Sequence, residues 1–216
     1  MKTKSNNKYL KGLCLLGVTF IFSLLTYFVD RQPVGYDGTS VGFATLNGAF
    51  SRTFGYNAAM DTISDIAMYF SFLVVAFFAG IGVMQLVKVK NLSKVSRTII
   101  GLGILYVIVV ILYVAFKKIP INYRPILQPG ETEIETSFPS THTLVIATVL
   151  GSGVFAAKRL FSNKNTVKVL TVLFIAVTVI GVAARLFAGV HWLTDIIAGL
   201  LFSATLIAFY AAWSVA

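Results

Sequence analysis

Both histidines of this 216-residue chain lie in short polar strings that border apolar segments. His142 ends the string 138–142, and His191 lies within the string 185–195. Because the imidazole titrates near neutral pH, histidine can act as a nucleophile, a general acid or a general base. A third polar string, 117–125, carries cations and prolines. We therefore expect the chemistry of this chain in these three strings.

One histidine has a carboxylate at a helical spacing. His191 and Asp195 are four residues apart at the predicted start of a helix. This spacing places both side chains on one helix face, where the carboxylate can accept a hydrogen bond from one ring nitrogen and leave the other free. The pair therefore predicts an oriented nucleophile. Trp192, next to His191, is predicted to be an interfacial aromatic anchor.

Cations outnumber acids within the three strings. Lys117, Arg124 and Arg185 are accompanied by a single acid, Asp195. This imbalance predicts a site for a multiply charged anion, and the planar guanidinium fork matches phosphate oxygens in a bidentate way. A lone lysine at this depth would instead be interpreted as a side chain that extends to the lipid headgroups.

The string that contains His142 also carries a helix start signal. Ser140 follows Pro139 and is a good N-cap, so a helix is predicted to begin beside it. The backbone N–H groups near Ser140 and Thr141 would lack partners within that helix and attract an anion. Simple capping is the alternative for Ser140, and the adjacent His142 favours the functional interpretation.

The composition predicts the elements that must position these residues. Hydrophobic residues make up 57% of the chain, charged residues 12%, and the mean hydropathy is +0.84. These values are typical of an integral membrane protein, in which a helix needs roughly 20 apolar residues to span the bilayer. We predict an all-α polytopic fold, a single domain over residues 1–216 with six transmembrane helices in one bundle, at about 12–29, 66–87, 98–116, 142–157, 167–184 and 192–213.

The charges predict the orientation in the membrane. One side would hold twelve cations and no acids: Lys2, Lys4, Lys8, Lys11, Lys88, Lys90, Lys94, Arg97, Lys158, Arg159, Lys164 and Lys168. Cytoplasmic loops collect lysine and arginine, so this side and both termini are predicted to be cytoplasmic. Basic loops beside anionic lipids explain the formal net charge of +10, and no nucleic-acid partner is expected.

The three polar strings are predicted to meet on the other side. Because successive spans alternate in direction, the ends of spans three and five and the starts of spans four and six share one face, which the charges predict to be extracytoplasmic. The long loop at about 30–64 lies on the same side. A structural cover is the favoured interpretation of this loop, and a lid or lipid-entry gate is the alternative. The alternating Glu131, Glu133 and Glu135 are predicted to be a solvated face, or a weak cation site.

The sequence resembles the type 2 phosphatidic-acid phosphatase superfamily in three signature motifs: Lys117-x6-Arg124-Pro125, Pro139-Ser140-Thr141-His142 and Arg185-x5-His191-x3-Asp195. The resemblance covers about residues 98–213, the motif-bearing core. Membrane members of that superfamily are six-helix lipid phosphatases. The chain departs from the usual motifs at Thr141, where the family has glycine, and at Ala184, where it has serine.

The resemblance also implies roles for these residues. His191, held by Asp195, would attack phosphorus and form a phosphohistidine, and His142 would protonate the leaving oxygen before water releases inorganic phosphate. The phosphate-binding residues would be Lys117, Arg124, Ser140, Thr141 and Arg185. Neither a metal ion nor a cofactor is expected, because both histidines already have roles and the strings offer one acid.

Three hypotheses follow for the function. The leading one is a phosphatase in a bacterial cell membrane that hydrolyses a lipid phosphate monoester or an isoprenyl diphosphate at the outer face. The second, suggested by Thr141 and Ala184, is a protein that binds or transports lipid phosphates without hydrolysis. The third is a membrane scaffold without an active site. The expected partners are the substrate and the surrounding membrane lipids.

Overall fold

Six long helices form where the six apolar runs are predicted. The computed structural model describes residues 8–214, and six helices in this range have the length and composition to cross a membrane. With the short α2, these are α1 Leu10–Phe28, α2 Ala44–Phe54, α3 Ala58–Val89, α4 Arg97–Lys118, α5 Thr141–Leu160, α6 Lys164–Phe187 and α7 Leu193–Ser214. The all-α, six-span prediction is confirmed. Lys2 and Lys4, predicted to be cytoplasmic, lie outside the described residues.

The start of α3 differs from the prediction. The helix begins at Ala58 rather than near 66, so the connection after α1 covers residues 29–57 and not 30–64. The Asn57 side chain caps the helix by accepting a hydrogen bond from the Met60 N–H at 3.1 Å. The additional turns carry Asp61 and Asp65. Acidic residues are more typical of loops than of membrane helices, so the prediction started the span after them.

The bundle is arranged around α5, which packs against α3, α4, α6 and α7. Ile146 and Leu150 of α5 lie fully buried in a cluster that includes Phe78 of α3 and Phe174 of α6. Gly153 permits this contact, because a Cβ atom there would lie 2.9 Å from the Phe174 ring. Close packing of this kind holds helices together in lipid, where burial of apolar surface contributes little.

Helix α1 lies on the other side of α7 and is attached by a polar contact. The hydroxyl groups of Thr19 and Thr205 are 2.9 Å apart and buried. Large apolar side chains cover the outside of the bundle. Examples are Leu73, Val110 and Val179, which are all more than half exposed. Such a surface is matched to lipid chains.

Two connections on one side of the bundle are joined to each other. Both terminal nitrogens of Arg31 donate to the carbonyl oxygen of Ile121 at 3.1 Å. The Gly42 N–H donates to the side-chain oxygen of Asn122 at 3.1 Å. These contacts attach segment 29–57 to the 119–140 connection between α4 and α5.

Segment 29–57 also contacts the connection between α6 and α7. The Asn47 amide donates to Thr194 at 2.9 Å and to the carbonyl oxygen of Gly42 at 2.7 Å. The Asn57 N–H donates to the carbonyl oxygen of Ala188 at 3.0 Å. The segment, which includes α2 and a 3-10 turn at Tyr36–Gly38, is therefore fixed over the ends of four spans, and this favours its interpretation as a structural cover.

Candidate active site

His191 and Asp195 lie together at the start of α7. The ring nitrogen Nδ1 of His191 is 3.5 Å from Oδ2 of Asp195. Asp195 is fully buried, and its Oδ2 accepts a hydrogen bond from the Trp192 N–H at 3.0 Å. This bond holds the carboxylate on the side that faces the imidazole. A separation of 3.5 Å is longer than a formed hydrogen bond, and catalytic contacts commonly shorten when substrate binds.

The neighbouring Arg185 identifies the free nitrogen of His191. Its Nη2 atom lies 3.2 Å from Nε2 of His191. A guanidinium group only donates hydrogen bonds, so Nε2 must be the acceptor and the ring proton must be on Nδ1, toward Asp195. The tautomer is inferred from these contacts. The lone pair of Nε2 therefore points at the side chain predicted to bind phosphate.

The surroundings keep His191 neutral. The residue is only 4% exposed, and burial lowers the pKa of its imidazole well below the ordinary value of 6.5. The positive charges of Arg185 and Arg124 lower this pKa further. A neutral imidazole is the form that can attack an electrophile, so the arrangement is suited to nucleophilic chemistry near pH 7.

Two guanidinium groups carry donors without partners. Within residues 8–214, Nε and Nη1 of Arg124 and Nε of Arg185 are buried and make no hydrogen bond. Leaving a buried polar group without a hydrogen-bond partner costs about 1–3 kcal/mol, and leaving a charged group without one costs more. Three such donors near one imidazole are arranged as they would be to bind an oxyanion.

Glu135 pairs with two of the predicted phosphate-binding residues. Its Oε2 accepts from Nη2 of Arg124 at 2.9 Å, and its Oε1 lies 3.6 Å from Nζ of Lys117. Glu131, Glu133 and Glu135 are predicted to be a solvated face or a weak cation site; the side chain of Glu135 is 41% exposed and pairs with these two cations. The residue turns inward because residues 123 and 136 pair across the connection, with the Arg124 N–H bonded to the Glu135 carbonyl oxygen at 3.0 Å.

The start of α5 has fewer free N–H groups than predicted. Ser140 is the buried N-cap, but its N–H donates to the carbonyl oxygen of Asp195 at 3.0 Å. The Ser140 hydroxyl faces the Thr143 N–H at 3.5 Å. Thr141 and His142 are the first two residues of the helix, so their N–H groups are the ones left for an anion. Helix α7 approaches this turn closely because residue 199 is glycine; a Cβ atom there would lie 2.9 Å from Thr143.

Two carboxylates of α3 reach the same region. Asp61 forms an ion pair with Nη1 of Arg185, and Asp65 accepts a hydrogen bond from Nε2 of His142 at 2.8 Å. Asp61 and Asp65 are one helical turn apart, so their partners lie close to each other. His191 of the connection before α7 is thus linked to Arg185 of α6, Arg185 to Asp61 of α3, and Asp65 of the same helix to His142 of α5.

Asn122 and Trp192 support the site in ways that the motifs do not predict. The Asn122 side-chain amide lies 3.4 Å from Oδ1 of Asp195, while its oxygen accepts from Gly42. Trp192 is only 2% exposed, and its indole N–H donates to the carbonyl oxygen of Tyr123 at 2.6 Å. The prediction of an interfacial anchor for Trp192 is therefore wrong. The indole instead joins two connections that carry the polar strings.

A cavity of about 480 Å³ leads from this site between α3, α4 and α5. Its polar lining includes Lys117, Arg124, Glu135, Thr141 and His142, while His191 and Arg185 lie behind these residues and do not line it. Its walls are apolar and include Met68, Phe72, Val109, Phe116 and Leu144. The volume lies in the range of typical ligand sites, and a charged end with apolar walls suits an amphiphile.

The sequence and the fold both have known counterparts. The sequence pattern of the PAP2 superfamily matches residues 98–216, more than half of the chain. The chain belongs to the PAP2 superfamily. Its fold is similar to the crystal structure of the first transmembrane PAP2 type phosphatidylglycerolphosphate phosphatase from Bacillus subtilis, with a TM-score of 0.62, 17% sequence identity and coverage of 94% of each chain. The comparison with curated proteins gives no match.

PAP2 membership and this fold support a membrane phosphatase, and the six apolar helices support an integral membrane protein. The motif residues of this PAP2 protein come together at one end of the bundle, with Lys117 at the exposed rim and Ser140 serving as a cap. In the range 8–214, no group of three or more His, Cys, Asp or Glu side chains is arranged to hold a metal ion.

Five contributors to the site lie outside the predicted set: Asp61, Asp65, Asn122, Glu135 and Trp192. A signal existed for the first two, because acids four residues apart beside an apolar run are rare and usually functional in membrane helices. Placing the start of the span near 66 assigned them to a loop. Asn122 is separated from Asp195 by 73 residues, and no local pattern connects them.

Proposed function

We propose that this PAP2 protein is a phosphatase that hydrolyses a lipid phosphate monoester or an isoprenyl diphosphate at the outer membrane face, through a phosphohistidine at His191. The observation that carries this proposal is the position of Nε2 of His191. This atom lies 3.2 Å from Nη2 of Arg185, and three guanidinium nitrogens of Arg124 and Arg185 have no hydrogen-bond partner within the described range. A nucleophile beside several cationic side chains can support phosphoryl transfer without a cofactor, because the cations stabilise the charge on the phosphoryl oxygens.

In the first step, Nε2 of His191 would attack phosphorus while the bond from phosphorus to the leaving oxygen breaks. His142 would give its proton to that oxygen. In the second step, water would attack the phosphohistidine, His142 would take the water proton, and orthophosphate would leave. Arg124 and Arg185 would neutralise the charge on the phosphoryl oxygens, which carry much of it in a loose transition state.

Asp195 would support both steps through His191. The carboxylate lies on the Nδ1 side, so it keeps the proton there and stabilises the positive charge that develops on the ring during attack. Asn122 and the Trp192 N–H hold the carboxylate in place. Lys117, at the rim and paired with Glu135, would guide the anion inward.

The cavity supports a lipid as the substrate. Its apolar walls between α3, α4 and α5 would hold the beginning of a hydrocarbon chain, while the phosphate meets His142 and Arg124 at the polar end. Both a diacyl phosphate and an isoprenyl diphosphate have this character. Turnover of phosphatidic acid and of an isoprenyl diphosphate, compared in the same detergent, separates the two substrate classes.

Charge supports the outer face as the location of the site. The opposite end of the bundle carries Lys88, Lys90, Lys94, Arg97, Lys158, Arg159, Lys164 and Lys168 without an acid. Such clusters are typical of the cytoplasmic side, which would leave the polar strings on the outside of the cell membrane.

The test is phosphate release by the purified protein in detergent. We expect the wild type to release phosphate, His191→Ala to release none above background, and Lys94→Ala, a matched control at the opposite end, to retain full activity. A radiolabelled substrate quenched at alkaline pH should label wild-type protein on His191. Equal activity of wild type and His191→Ala would refute the nucleophile.

Non-hydrolytic binding is the second candidate, because Thr141 lines the cavity beside His142 where the family usually has glycine. Vanadate binding without phosphate release by the wild type would favour this function.

A further inference from the structure

Asp65 is the direct partner of the second histidine. Its Oδ1 atom lies 2.8 Å from Nε2 of His142, a full hydrogen-bond contact between α3 and α5. Asp65 is in the second turn of α3, outside the three motifs of the sequence. The contact lies at the polar end of the cavity, which His142 lines. It is therefore placed where the leaving oxygen of a substrate would be.

The contact determines which nitrogen of His142 is free. A carboxylate accepts a hydrogen bond, so Nε2 of His142 carries a proton that points at Asp65. Nδ1 makes no hydrogen bond within residues 8–214 and is absent from the set of fully buried unpaired atoms, so it is the accessible ring nitrogen. The proton for a leaving group would therefore come from Nδ1.

The two histidines are thus held in opposite senses. His191 has its Nδ1 toward Asp195 and its Nε2 toward Arg185, whereas His142 has its Nε2 toward Asp65 and its Nδ1 accessible. Each imidazole is oriented by a carboxylate from a different helix. The geometry pairs the nucleophile with Asp195 and the proton donor with Asp65.

We propose that Asp65 is a positioning residue that accepts the Nε2–H of protonated His142 and holds the ring in the orientation of a general acid. This inference rests on the proposed function. His142 starts as an imidazolium with a proton on each ring nitrogen. When the bond from phosphorus to the lipid oxygen breaks, that oxygen keeps the electron pair and takes the Nδ1 proton, which leaves a neutral ring whose Nε2 proton still faces Asp65. In the second step, a water proton returns to Nδ1 as the oxygen of that water bonds to phosphorus and the bond to His191 breaks.

This role predicts a dependence on the leaving group. An alkyl oxygen leaves poorly as an anion and needs the proton, whereas p-nitrophenolate leaves without help. A positioned general acid contributes typically 10²–10⁴-fold, so Asp65→Asn should lower kcat/KM for an alkyl phosphate lipid by roughly 10–100-fold. For p-nitrophenyl phosphate the loss should be less than about threefold.

The experiment measures kcat/KM of Asp65→Asn for both substrates, beside wild type and Asp37→Asn. Asp37 is an exposed acid of segment 29–57 with no part in the site, so Asp37→Asn is a matched carboxylate-to-amide control. His142→Gln and the double variant Asp65→Asn/His142→Gln complete the set. We expect Asp65→Asn to have no further effect in the His142→Gln background, because a positioning residue acts through its partner. Asp65→Glu should recover part of the activity on the alkyl substrate.

Four results would overturn the inference. Equal losses on the two substrates would mean that Asp65 only supports the fold. Higher activity with a lower KM on both substrates would mean that Asp65 competes with phosphate for the site. An additive effect of the double variant would mean that it acts independently of His142. A wild type that releases no phosphate from either substrate would overturn the proposed function and this role together, whereas an active wild type isolates the role of Asp65. Thermal unfolding of each variant shows whether it is folded.

Discussion

Removing the charge of Asp61 should destabilise the protein and strengthen its binding of oxyanions. Arg185 is 1% exposed, and its guanidinium group makes an ion pair with Asp61 on one side while it contacts His191 on the other. Truncating one partner of a buried ion pair typically costs about 3–5 kcal/mol. Asn keeps an oxygen acceptor, so the loss for Asp61→Asn is closer to that of a charged hydrogen bond, about 1.5–3 kcal/mol.

The same change frees Arg185 for another anion. In wild type, a phosphate must share this guanidinium group with the Asp61 carboxylate. In Asp61→Asn the cation is unbalanced, so orthophosphate or vanadate should bind more tightly. An anion at 100 times its dissociation constant stabilises the folded state by about 2.7 kcal/mol, which is enough to offset most of the loss.

Thermal unfolding in detergent measures both effects. A loss of about 1.5–3 kcal/mol corresponds to roughly 3–12 °C in Tm for a chain of this size. We expect this decrease without anion, and a larger rise of Tm with vanadate in Asp61→Asn than in wild type. Asp37→Asn is the control and should change neither value. An Asp61→Asn protein that melts within about 1 °C of wild type, with an unchanged response to vanadate, would refute the argument.

Two further predictions concern pH and topology. Because burial and nearby cations lower the pKa of His191 well below 6.5, protonation of this residue should not reduce kcat/KM as the pH falls to 6.5, and the loss should begin only when the pH passes the lowered pKa. The unfolded chain binds a proton at His191 near pH 6.5 and the folded chain does not, so folding stability should also decrease as the pH falls below that value. A decline of kcat/KM with falling pH that already begins above pH 6.5 would contradict this description of the site. For topology, Glu133→Cys should react with an impermeant thiol reagent from outside intact cells and Ser93→Cys should not, both in a chain with the single native cysteine, Cys14, replaced by alanine; the reverse pattern would place the site on the cytoplasmic side.

The sequence predicted those features that depend on apolar length and local spacing. An apolar run of about twenty residues is typical of a membrane-spanning helix, and the chain contains six such runs. The helices of the bundle could therefore be predicted from composition. His191 and Asp195 are close in sequence, and their proximity in space follows from helix geometry. Both features depend only on residues that are close together in the sequence, so a local pattern is enough to predict them.

Contacts between distant segments could not be predicted in this way. Asp61 lies 124 residues from Arg185, and Asp65 lies 77 residues from His142. Their charges suggested a loop, because a sequence does not reveal which cation will lie opposite an acid. The pairing itself is what allows these residues to remain helical beside the bilayer, since a paired carboxylate avoids much of the cost of leaving water.

The length of α3 determines how deep in the membrane the two acids lie. At 1.5 Å per residue, its 32 residues extend about 48 Å, against a hydrocarbon thickness of about 30 Å. The apolar run predicted at 66–87 accounts for roughly 33 Å of that length. With that run in the hydrocarbon layer, residues 58–65 extend up to about 12 Å beyond it, with Asp65 next to the run and Asp61 one helical turn farther out, toward the glycerol and phosphate groups. A bilayer-embedded lipid would thus present its phosphorus at the level of Asp61 and Asp65 without being lifted out of the membrane.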